Sequence, residues 1–181
     1  MKTSTASIAA LSMAVSAVAQ NISYGADNFY RSNNVTVQPI SFPSQFQTTV
    51  AGKLFYLKDM NHSADWPAVV VGHSMGAVKE QSANLYATKL AEQGFVTITI
   101  DIPFWGASED EPRNAVSLEL YAEGFSAAVD YLGTLGFVDR ERIGGLGICG
   151  RGSFVISAAK IDSRLKAIAT SSMYDMGALS R

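Results

Sequence analysis

The chain has 181 residues, a formal net charge of −2 and 48% hydrophobic residues, which is enough for one domain with a buried core and too little for two comfortable ones. The near balance of charge and the lack of a basic stripe exclude nucleic acid as an expected partner, because phosphate binding needs clustered Lys and Arg. No apolar run reaches the roughly 20 residues that a membrane-spanning helix needs. The single cysteine, Cys149, excludes a disulfide within the chain.

The N-terminus has the pattern of an export signal. A positive residue precedes an apolar, small-residue stretch that begins at Ile8, and Ala17-Val18-Ala19 fits the small-x-small cleavage rule. We therefore expect residues 1–19 to be a signal peptide, cleaved after Ala19, and the protein to be secreted. A helical N-terminal arm of the mature protein is the alternative. Three N-glycosylation sequons are compatible with the secretory route, at Asn21, Asn34 and Asn61.

The rest of the chain divides into two parts by composition. Residues 20–65 are rich in Asn, Ser, Thr and Gln, and they contain two predicted short strands, 35–37 and 53–57, with Ala51-Gly52 as the turn before the second. From Trp66 onward the pattern changes to alternating buried strands and amphipathic helices. We therefore predict that residues 66–181 form the core of the fold.

The core elements follow one another as strand, helix, strand. Strands are predicted where β-branched apolar residues run together, and helices where apolar residues recur at i, i+3, i+4 and i+7. The predicted strands are 68–71, 95–100, 142–148 and 165–170, and the predicted helices are 79–93, 117–132 and 152–160. The first helix is expected to bury Ala83, Tyr86, Ala87 and Leu90. The second is expected to have Ser117 as its N-cap and Leu118 on its buried face. This alternation predicts an α/β fold, a mostly parallel sheet with helices on both faces.

The third predicted core strand runs directly into Gly147-Ile148-Cys149-Gly150-Arg151-Gly152 and then into a helix. This order is typical of a nucleophile elbow, where small residues such as Gly147 and Gly152 avoid collisions with the neighbouring strand and helix. The N-terminus of the helix favours a thiolate, and the N–H of Gly150 would be placed to stabilise an oxyanion. We therefore predict that Cys149 is a nucleophile. A buried structural cysteine in a glycine-rich turn is the alternative.

Two other motifs compete with this interpretation. The segment 145–150 also matches G-x-G-x-x-G, which is typical of a dinucleotide site, but the next predicted strand ends in Thr170-Ser171-Ser172 and lacks the acidic residue that such a site needs. The segment 72–76 matches G-x-S-x-G around Ser74, but it follows the first parallel strand, with two strand–helix units still to come. Cys149 is therefore favoured over Ser74 as the nucleophile.

Neither histidine is predicted to be the catalytic base. His73 would act as one only if it reached the nucleophile, and we expect it instead to shape its loop by hydrogen bonds. His62 lies among polar residues beside a sequon and is predicted to be a solvated loop residue. The sequence predicts no metal site and no cofactor.

Four segments of the core resemble motifs of one known family. They are 72–81, similar to G-H-x-x-G-x-x-K-E-Q; Asp101 with 106–113, similar to a strand-end aspartate and a G-x-S-x-x-x-P-R loop; 129–132, similar to V-D-Y-L; and 138–149, similar to V-D-x-x-R-I-G-x-L-G-I-C. Together they resemble the dienelactone-hydrolase-like branch of the α/β-hydrolases. The resemblance covers about residues 66–178 and implies the α/β-hydrolase type of sheet.

The resemblance implies ester, lactone or thioester hydrolysis or, in a fungal group, transfer or release of polyketide acyl chains in secondary metabolism. By position it makes Cys149 the nucleophile, and Gly150 with the Ser74–Met75 loop the oxyanion hole. Arg151 stands where the family usually has Gly or Ser, and it would either crowd the elbow or bind a carboxylate substrate. The family's catalytic Asp and His follow later strands that are missing here, and Asp175 lies too early to be that Asp. We therefore expect a shortened product or a fragment.

Three hypotheses of function follow. The first is an acyl hydrolase or acyltransferase that acts on a small-molecule ester or thioester through Cys149. The second is a catalytically inactive binding protein on a shortened hydrolase fold, because a triad that loses one member loses orders of magnitude in rate. The third is a serine hydrolase through Ser74. The substrate and the oligomeric state are left open by the sequence.

Overall fold

The structure, a computed structural model, describes residues 30–179. The predicted signal peptide, residues 1–19 with its cleavage site, and the sequon at Asn21 lie outside this range. The other two sequon asparagines, Asn34 and Asn61, are exposed. In the described part, no helix is long and apolar enough to cross a bilayer.

Six strands of the described residues form one sheet with helices on both faces. The strands are β1 (Val35–Pro43), β2 (Thr49–Leu57), β3 (Trp66–Gly72), β4 (Val96–Ile100), β5 (Val138–Ile148) and β6 (Leu165–Ser171), and the helices are α1 (Ser82–Ala91), α2 (Leu118–Thr134), α3 (Arg151–Ile161) and α4 (Met176–Leu179). The strand order is β1-β2-β4-β3-β5-β6. β1 and β2 are antiparallel additions to a parallel group of four. The predicted α/β architecture is confirmed.

The antiparallel end of the sheet differs in detail from the prediction. Both strands are longer than predicted, and the turn between them lies at residues 44–48, where Gln47 has a φ of +64°. The prediction of a turn at Ala51-Gly52 was wrong, because both residues lie inside β2. A Cβ at Gly52 would stand 2.7 Å from the carbonyl oxygen of Thr99 on β4. The glycine therefore marks a close approach between strands.

The core consists of two apolar clusters, one on each face of the sheet. The larger lies under α2 and α3, and the smaller lies under α1. The central strand β4 is buried at all of its five residues, as expected for a β-branched strand covered on both faces. The hydroxyl of Thr97 is accommodated there because it donates a hydrogen bond of 2.9 Å to the carbonyl oxygen of Ala87.

The helix boundaries agree with the prediction better than the helix faces do. Ser117 is the N-cap of α2, and its hydroxyl accepts a 3.4 Å hydrogen bond from the N–H of Leu120. Tyr86 and Leu118 were wrongly predicted to be buried, since they are 37% and 55% exposed. The face that α1 turns to the sheet is made mainly of small residues, Ala83, Ala87, Thr88 and Ala91.

Candidate active site

The parallel strands bring the predicted site residues to one edge of the sheet. Gly72 at the end of β3 pairs in register with Gly147 of β5, and Ile148 pairs with Ser171 at the end of β6. The residues that follow the strands at this edge are His73, Ser74, Asp101 and Cys149. In α/β sheets, ligands bind outside the carboxyl ends of the strands, so this edge is the candidate site.

Cys149 occupies a strained turn between β5 and α3. Its φ is +56°, in the left-handed region that a non-glycine residue adopts at a cost. Two hydrogen bonds hold this conformation: the N–H of Cys149 donates to the carbonyl oxygen of Ser171 at 2.8 Å, and the N–H of Gly152 donates to that of Cys149 at 3.0 Å. The side chain is partly buried against the cluster under α1. This is the backbone geometry of a nucleophile elbow.

The glycines around Cys149 are required by packing. A Cβ at Gly147 would lie 2.5 Å from the carbonyl oxygen of Arg151, and one at Gly152 would lie 2.5 Å from Cγ of Met173. A Cβ at Gly145 would lie 2.5 Å from a methyl group of Val155. The glycine spacing that resembles a dinucleotide motif therefore has a steric explanation at a tight strand–turn–helix junction.

The two predicted oxyanion segments are in contact. Gly150 is the N-cap of α3, and a Cβ built on it would stand only 3.2 Å from Cβ of Met75. The backbone N–H groups of Gly150 and Met75 have no acceptor among residues 30–179. Two free N–H groups on touching segments beside the turn at Cys149 could stabilise a developing oxyanion.

Ser74 lies in a turn that lacks the elbow conformation. The residue with positive φ in this turn is Gly76, at +72°. The hydroxyl of Ser74 lies 3.3 Å from that of Ser82, and its carbonyl oxygen accepts a 3.1 Å hydrogen bond from the N–H of Ala77. The backbone of Ser74 therefore shapes the loop, and its hydroxyl contacts another hydroxyl.

His73 is fully buried and neutral at neutral pH. Burial and then the positive charge of Arg151 lower the pKa of His73 to about 4. Nδ1 lies 2.8 Å from the carbonyl oxygen of Ser74. In the tautomer with a proton on Nδ1, this nitrogen donates a hydrogen bond to that oxygen. Nε2 has no partner in the described part. His73 thus makes the kind of loop contact that the sequence predicted.

Arg151 neither crowds the elbow nor faces solvent. Its side chain is 0% exposed, and its guanidinium carbon lies 4.4 Å from the ring centre of Tyr121 and 5.4 Å from that of Phe154. Nη1 donates a 3.3 Å hydrogen bond to Sδ of Met75. Gly72 leaves the room for this placement, because a Cβ there would stand 3.3 Å from Cβ of Arg151. The expected crowding of the elbow is therefore not seen, and the alternative, that Arg151 binds a carboxylate substrate, stays a prediction.

A buried ion pair that the sequence analysis did not anticipate fastens the loop after β3 to the end of β4. Asp101 is 0% exposed, and its carboxylate accepts hydrogen bonds from the backbone N–H and the Nζ of Lys79, at 2.8 and 2.5 Å. The N–H of Ala107 donates to the same carboxylate at 2.8 Å. A Cβ at Gly106 would collide with it at 2.1 Å. The sequence carried a signal for this ion pair, because two residues of opposite charge each follow a predicted buried strand.

The G-x-S-x-x-x-P-R segment folds into a loop beside Asp101 that is held by hydrogen bonds to main-chain carbonyls. The hydroxyl of Ser108 donates to the main-chain carbonyl of Asp101 at 2.5 Å. The guanidinium of Arg113 donates to the carbonyl oxygens of Ser108 and Gly106, at 2.6 and 2.8 Å. The motif therefore closes a loop around Asp101, and its residues have structural partners.

Tyr86 links α1 to the elbow, another contact that the sequence did not reveal. Its hydroxyl lies 2.9 Å from the hydroxyl of Ser171, whose carbonyl oxygen accepts the N–H of Cys149. This contact explains why Tyr86 lies on the exposed side of α1.

The described residues provide Cys149 with no hydrogen-bonded base. His62, the other histidine, is far from this edge and packs against the rings of Phe137 and Tyr56 with centroid distances of 4.5 and 5.5 Å. Among residues 30–179, no group of three or more His, Cys, Asp or Glu is arranged to hold a metal ion.

Comparison with protein families decides the class. The model of the dienelactone hydrolase family matches residues 55–174, a span that contains the elbow and both loops described above. The chain belongs to the dienelactone hydrolase family. The sheet edge at Cys149 lies within the span that the family model matches.

Individual relatives agree with this assignment. The uncharacterized protein PA2218 of Pseudomonas aeruginosa is 45% identical over 82% of this chain and 40% of its own length, and its crystal structure superposes with a TM-score of 0.79 over 82% of this chain and 46% of that one, at 44% identity. The uncharacterized protein YcjY of Escherichia coli K12 is 40% identical over 85% of this chain and 47% of its own length. Thiohydrolase aneE of Aspergillus aculeatus is 33% identical over 58% of this chain and 33% of its own length. The chain spans about half or less of these relatives.

Proposed function

We propose that the protein transfers acyl groups through Cys149, as a hydrolase or acyltransferase of small-molecule esters or thioesters. The observation that carries this proposal is the positive φ of Cys149 at the start of α3, a strain that a purely structural cysteine does not need. Family membership supports the reaction class, and the name of one relative, a thiohydrolase, is compatible with a thioester substrate.

The geometry suggests the following chemistry. The thiolate of Cys149 attacks the carbonyl carbon, and the electron pair of the C=O bond moves to oxygen, where the N–H groups of Gly150 and Met75 would donate to it. Collapse re-forms the C=O bond and releases the alcohol or thiol, which takes up a proton, and leaves an acyl thioester on Cys149. Water or an acceptor alcohol then attacks this thioester, loses a proton, and displaces the thiolate.

The proton transfers need a base that residues 30–179 do not place at Cys149. Arg151 is a cation, and burial lowers the pKa of His73 to about 4. We expect full turnover only where an Asp and a His from strands that follow β6, as the family implies, complete the site. The acyl-accepting ability of Cys149 and multiple turnover are therefore separate expectations.

A largely apolar groove beside α3 supports an acyl substrate. It extends along the helix from Ser153 to Lys160, and Met176 in its lining lies close to the elbow, with Sδ 3.5 Å from a Cβ built on Gly150. Its apolar lining residues are Val116, Leu118, Phe154, Ile156, Met173 and Met176. An apolar acyl chain that occupies this groove would bring its carbonyl group towards the elbow.

The proposal is tested with p-nitrophenyl acetate and a thiol reagent. We expect a burst of about one p-nitrophenolate per protein with slow turnover, because a thiol without a base among residues 30–179 accepts the acetyl group faster than water removes it. The Cys149→Ala variant should show no burst. Iodoacetamide should modify Cys149 in the native protein, as measured by intact mass.

Two outcomes favour the other hypotheses. A thiol that reacts only after unfolding, together with the absence of a burst, supports an inactive binding protein. Labelling by a fluorophosphonate that survives Cys149→Ala supports a serine nucleophile such as Ser74.

A further inference from the structure

The guanidinium of Arg151 is a buried charge without a counter-charge. The side chain is 0% exposed, and Nε and Nη2 have no hydrogen-bond partner in the described part. No carboxylate among residues 30–179 forms an ion pair with it, and the two buried acids, Asp101 and Asp162, are paired with Lys79 and Arg164. A buried charge that is left unpaired destabilises the folded state.

The groups around Arg151 do not remove this cost. The sulfur of Met75 is a weak acceptor, the rings of Tyr121 and Phe154 supply cation–π attraction, and the hydroxyl of Tyr121 adds a polar interaction. None of these groups is a carboxylate counter-charge. An apolar side chain of similar length would fill the same space without the cost of desolvating a charge. Stability therefore does not explain why an arginine stands here.

The position of Arg151 next to the candidate nucleophile does explain it. Arg151 begins α3, two residues after Cys149, and the elbow between them is fixed by the hydrogen bond from Gly152 to Cys149. Burial lowers the pKa of Arg151 to about 10, while the charge and the hydrogen bond of Tyr121, and then the charge of Cys149, act in the opposite direction. Arg151 therefore stays protonated at neutral pH, two residues from the candidate nucleophile.

We propose that Arg151 is an electrostatic positioning residue, whose uncompensated buried charge stabilises the anionic states of the elbow: the thiolate of Cys149 and the oxyanion formed by its attack. This inference rests on the proposed role of Cys149 as nucleophile. Because the medium around Arg151 is of low dielectric, its charge acts at longer range and is less screened by salt than a surface charge. Through Met75, the same side chain also holds the second oxyanion segment against the elbow.

The test compares a negatively charged and a neutral thiol reagent on the full chain. We expect the ratio of the iodoacetate rate to the iodoacetamide rate at Cys149 to fall about tenfold in Arg151→Met, because one positive charge is removed near the thiol. Arg151→Lys should keep most of the ratio, because it keeps the charge. Arg140→Met is the matched control, since Arg140 is exposed at the opposite end of β5, and it should leave the ratio unchanged.

Thermal unfolding separates this role from a structural one. Arg151→Met should raise Tm by about 4 °C, because it removes an unpaired buried charge at similar volume. A structural arginine predicts the opposite, a lower Tm with an unchanged ratio, and that result would overturn the inference. If the Met variant does not fold, Arg151→Gln carries the same comparison of rates. If Cys149 reacts and the ratio of the two rates is the same in all variants, the proposed role of Arg151 is wrong and the proposed function is unaffected. If Cys149 of the native protein reacts with neither reagent, the proposed function is wrong as well.

Discussion

His73 lies at the base of the candidate site and is kept neutral by its surroundings. It is 0% exposed, and its Nδ1 contacts the carbonyl oxygen of Ser74. Protonation would place a second positive charge in the buried region that already holds Arg151. The loop that carries the predicted oxyanion donors is therefore sensitive to acid through this one residue.

We predict that His73 destabilises the protein at acid pH. Its pKa falls from 6.5 to about 4 on folding, so the unfolded state binds more protons than the folded state between these values. Stability is full above pH 6.5 and is lost as the pH falls towards 4, by about 3 kcal/mol. Urea unfolding of His73→Asn at pH 4.5 and 7 should show a smaller loss than the parent protein. His62→Asn, at an exposed position, should keep the parent slope, and equal slopes in all three proteins would contradict the prediction.

Single residues differ in how far the sequence predicts them. The turn at Cys149 and the need for Gly147 and Gly152 beside it were predictable because local sterics decide them: a tight strand–turn–helix junction admits few side chains beside the turn. The role of Cys149 as nucleophile stays a prediction. The burial of Arg151 was not predictable, because it depends on Tyr121 and other groups from distant parts of the chain. An arginine is ordinarily expected to face solvent, and here tertiary packing buries it instead.

At the scale of elements, the ion pair between Lys79 and Asp101 joins two loops that flank the site. Burial alone would lower the pKa of Lys79, but the hydrogen bond and charge of Asp101 raise it overall. Lys79 also contacts Glu80 at 3.1 Å, and Glu80 contacts Lys53 on β2 at 3.2 Å. The loop after β3 is thus connected to both β4 and β2.

We predict that Asp101→Asn destabilises the protein by about 3–5 kcal/mol, because it removes the buried counter-charge of the Lys79 ammonium group and leaves only the more exposed Glu80 beside it. The matched control is Asp139→Asn, which removes a more exposed i,i+3 pair with Arg142 and should cost less than about 1 kcal/mol. Chemical denaturation measures both. The double variant Asp101→Asn/Lys79→Met should regain part of the loss, and a cost for Asp101→Asn no larger than the control would argue against a buried pair.

Element boundaries were predictable where periodicity and caps agree and were missed where contacts between strands decide. The Ser117 cap fixed the start of α2 from local chemistry alone. The turn at Ala51-Gly52 was mispredicted because a glycine reads as a turn in sequence, whereas Gly52 serves the approach of Thr99 on another strand. The exposure of Leu118 likewise depends on the groove beside α3, which the sequence does not show.

At the scale of the whole molecule, the sheet of the described residues ends at β6. Four of the seven residues of this strand are exposed, Lys166, Ala167, Ala169 and Thr170, and only β5 pairs with it. The opposite edge, β1, is a longer strand of an antiparallel hairpin. An edge strand with unpaired N–H and C=O groups and small side chains is a template for pairing with another chain.

We predict that this 181-residue chain self-associates through β6, and that Ala169→Lys reduces the association because a charge on an edge strand opposes strand pairing. Sedimentation velocity over a range of concentrations should show a shift of the parent protein to larger species and a smaller shift for the variant.

Ala178→Lys adds the same charge to an exposed residue of α4, off the sheet, and should behave like the parent. If both variants reduce association equally, net charge rather than the strand edge is responsible. If neither does, β6 is not the contact. The acyl-transfer burst should be unchanged by Ala169→Lys, because Ala169 is exposed and the substitution leaves in place the main-chain hydrogen bonds that Cys149 makes with Ser171 and Gly152.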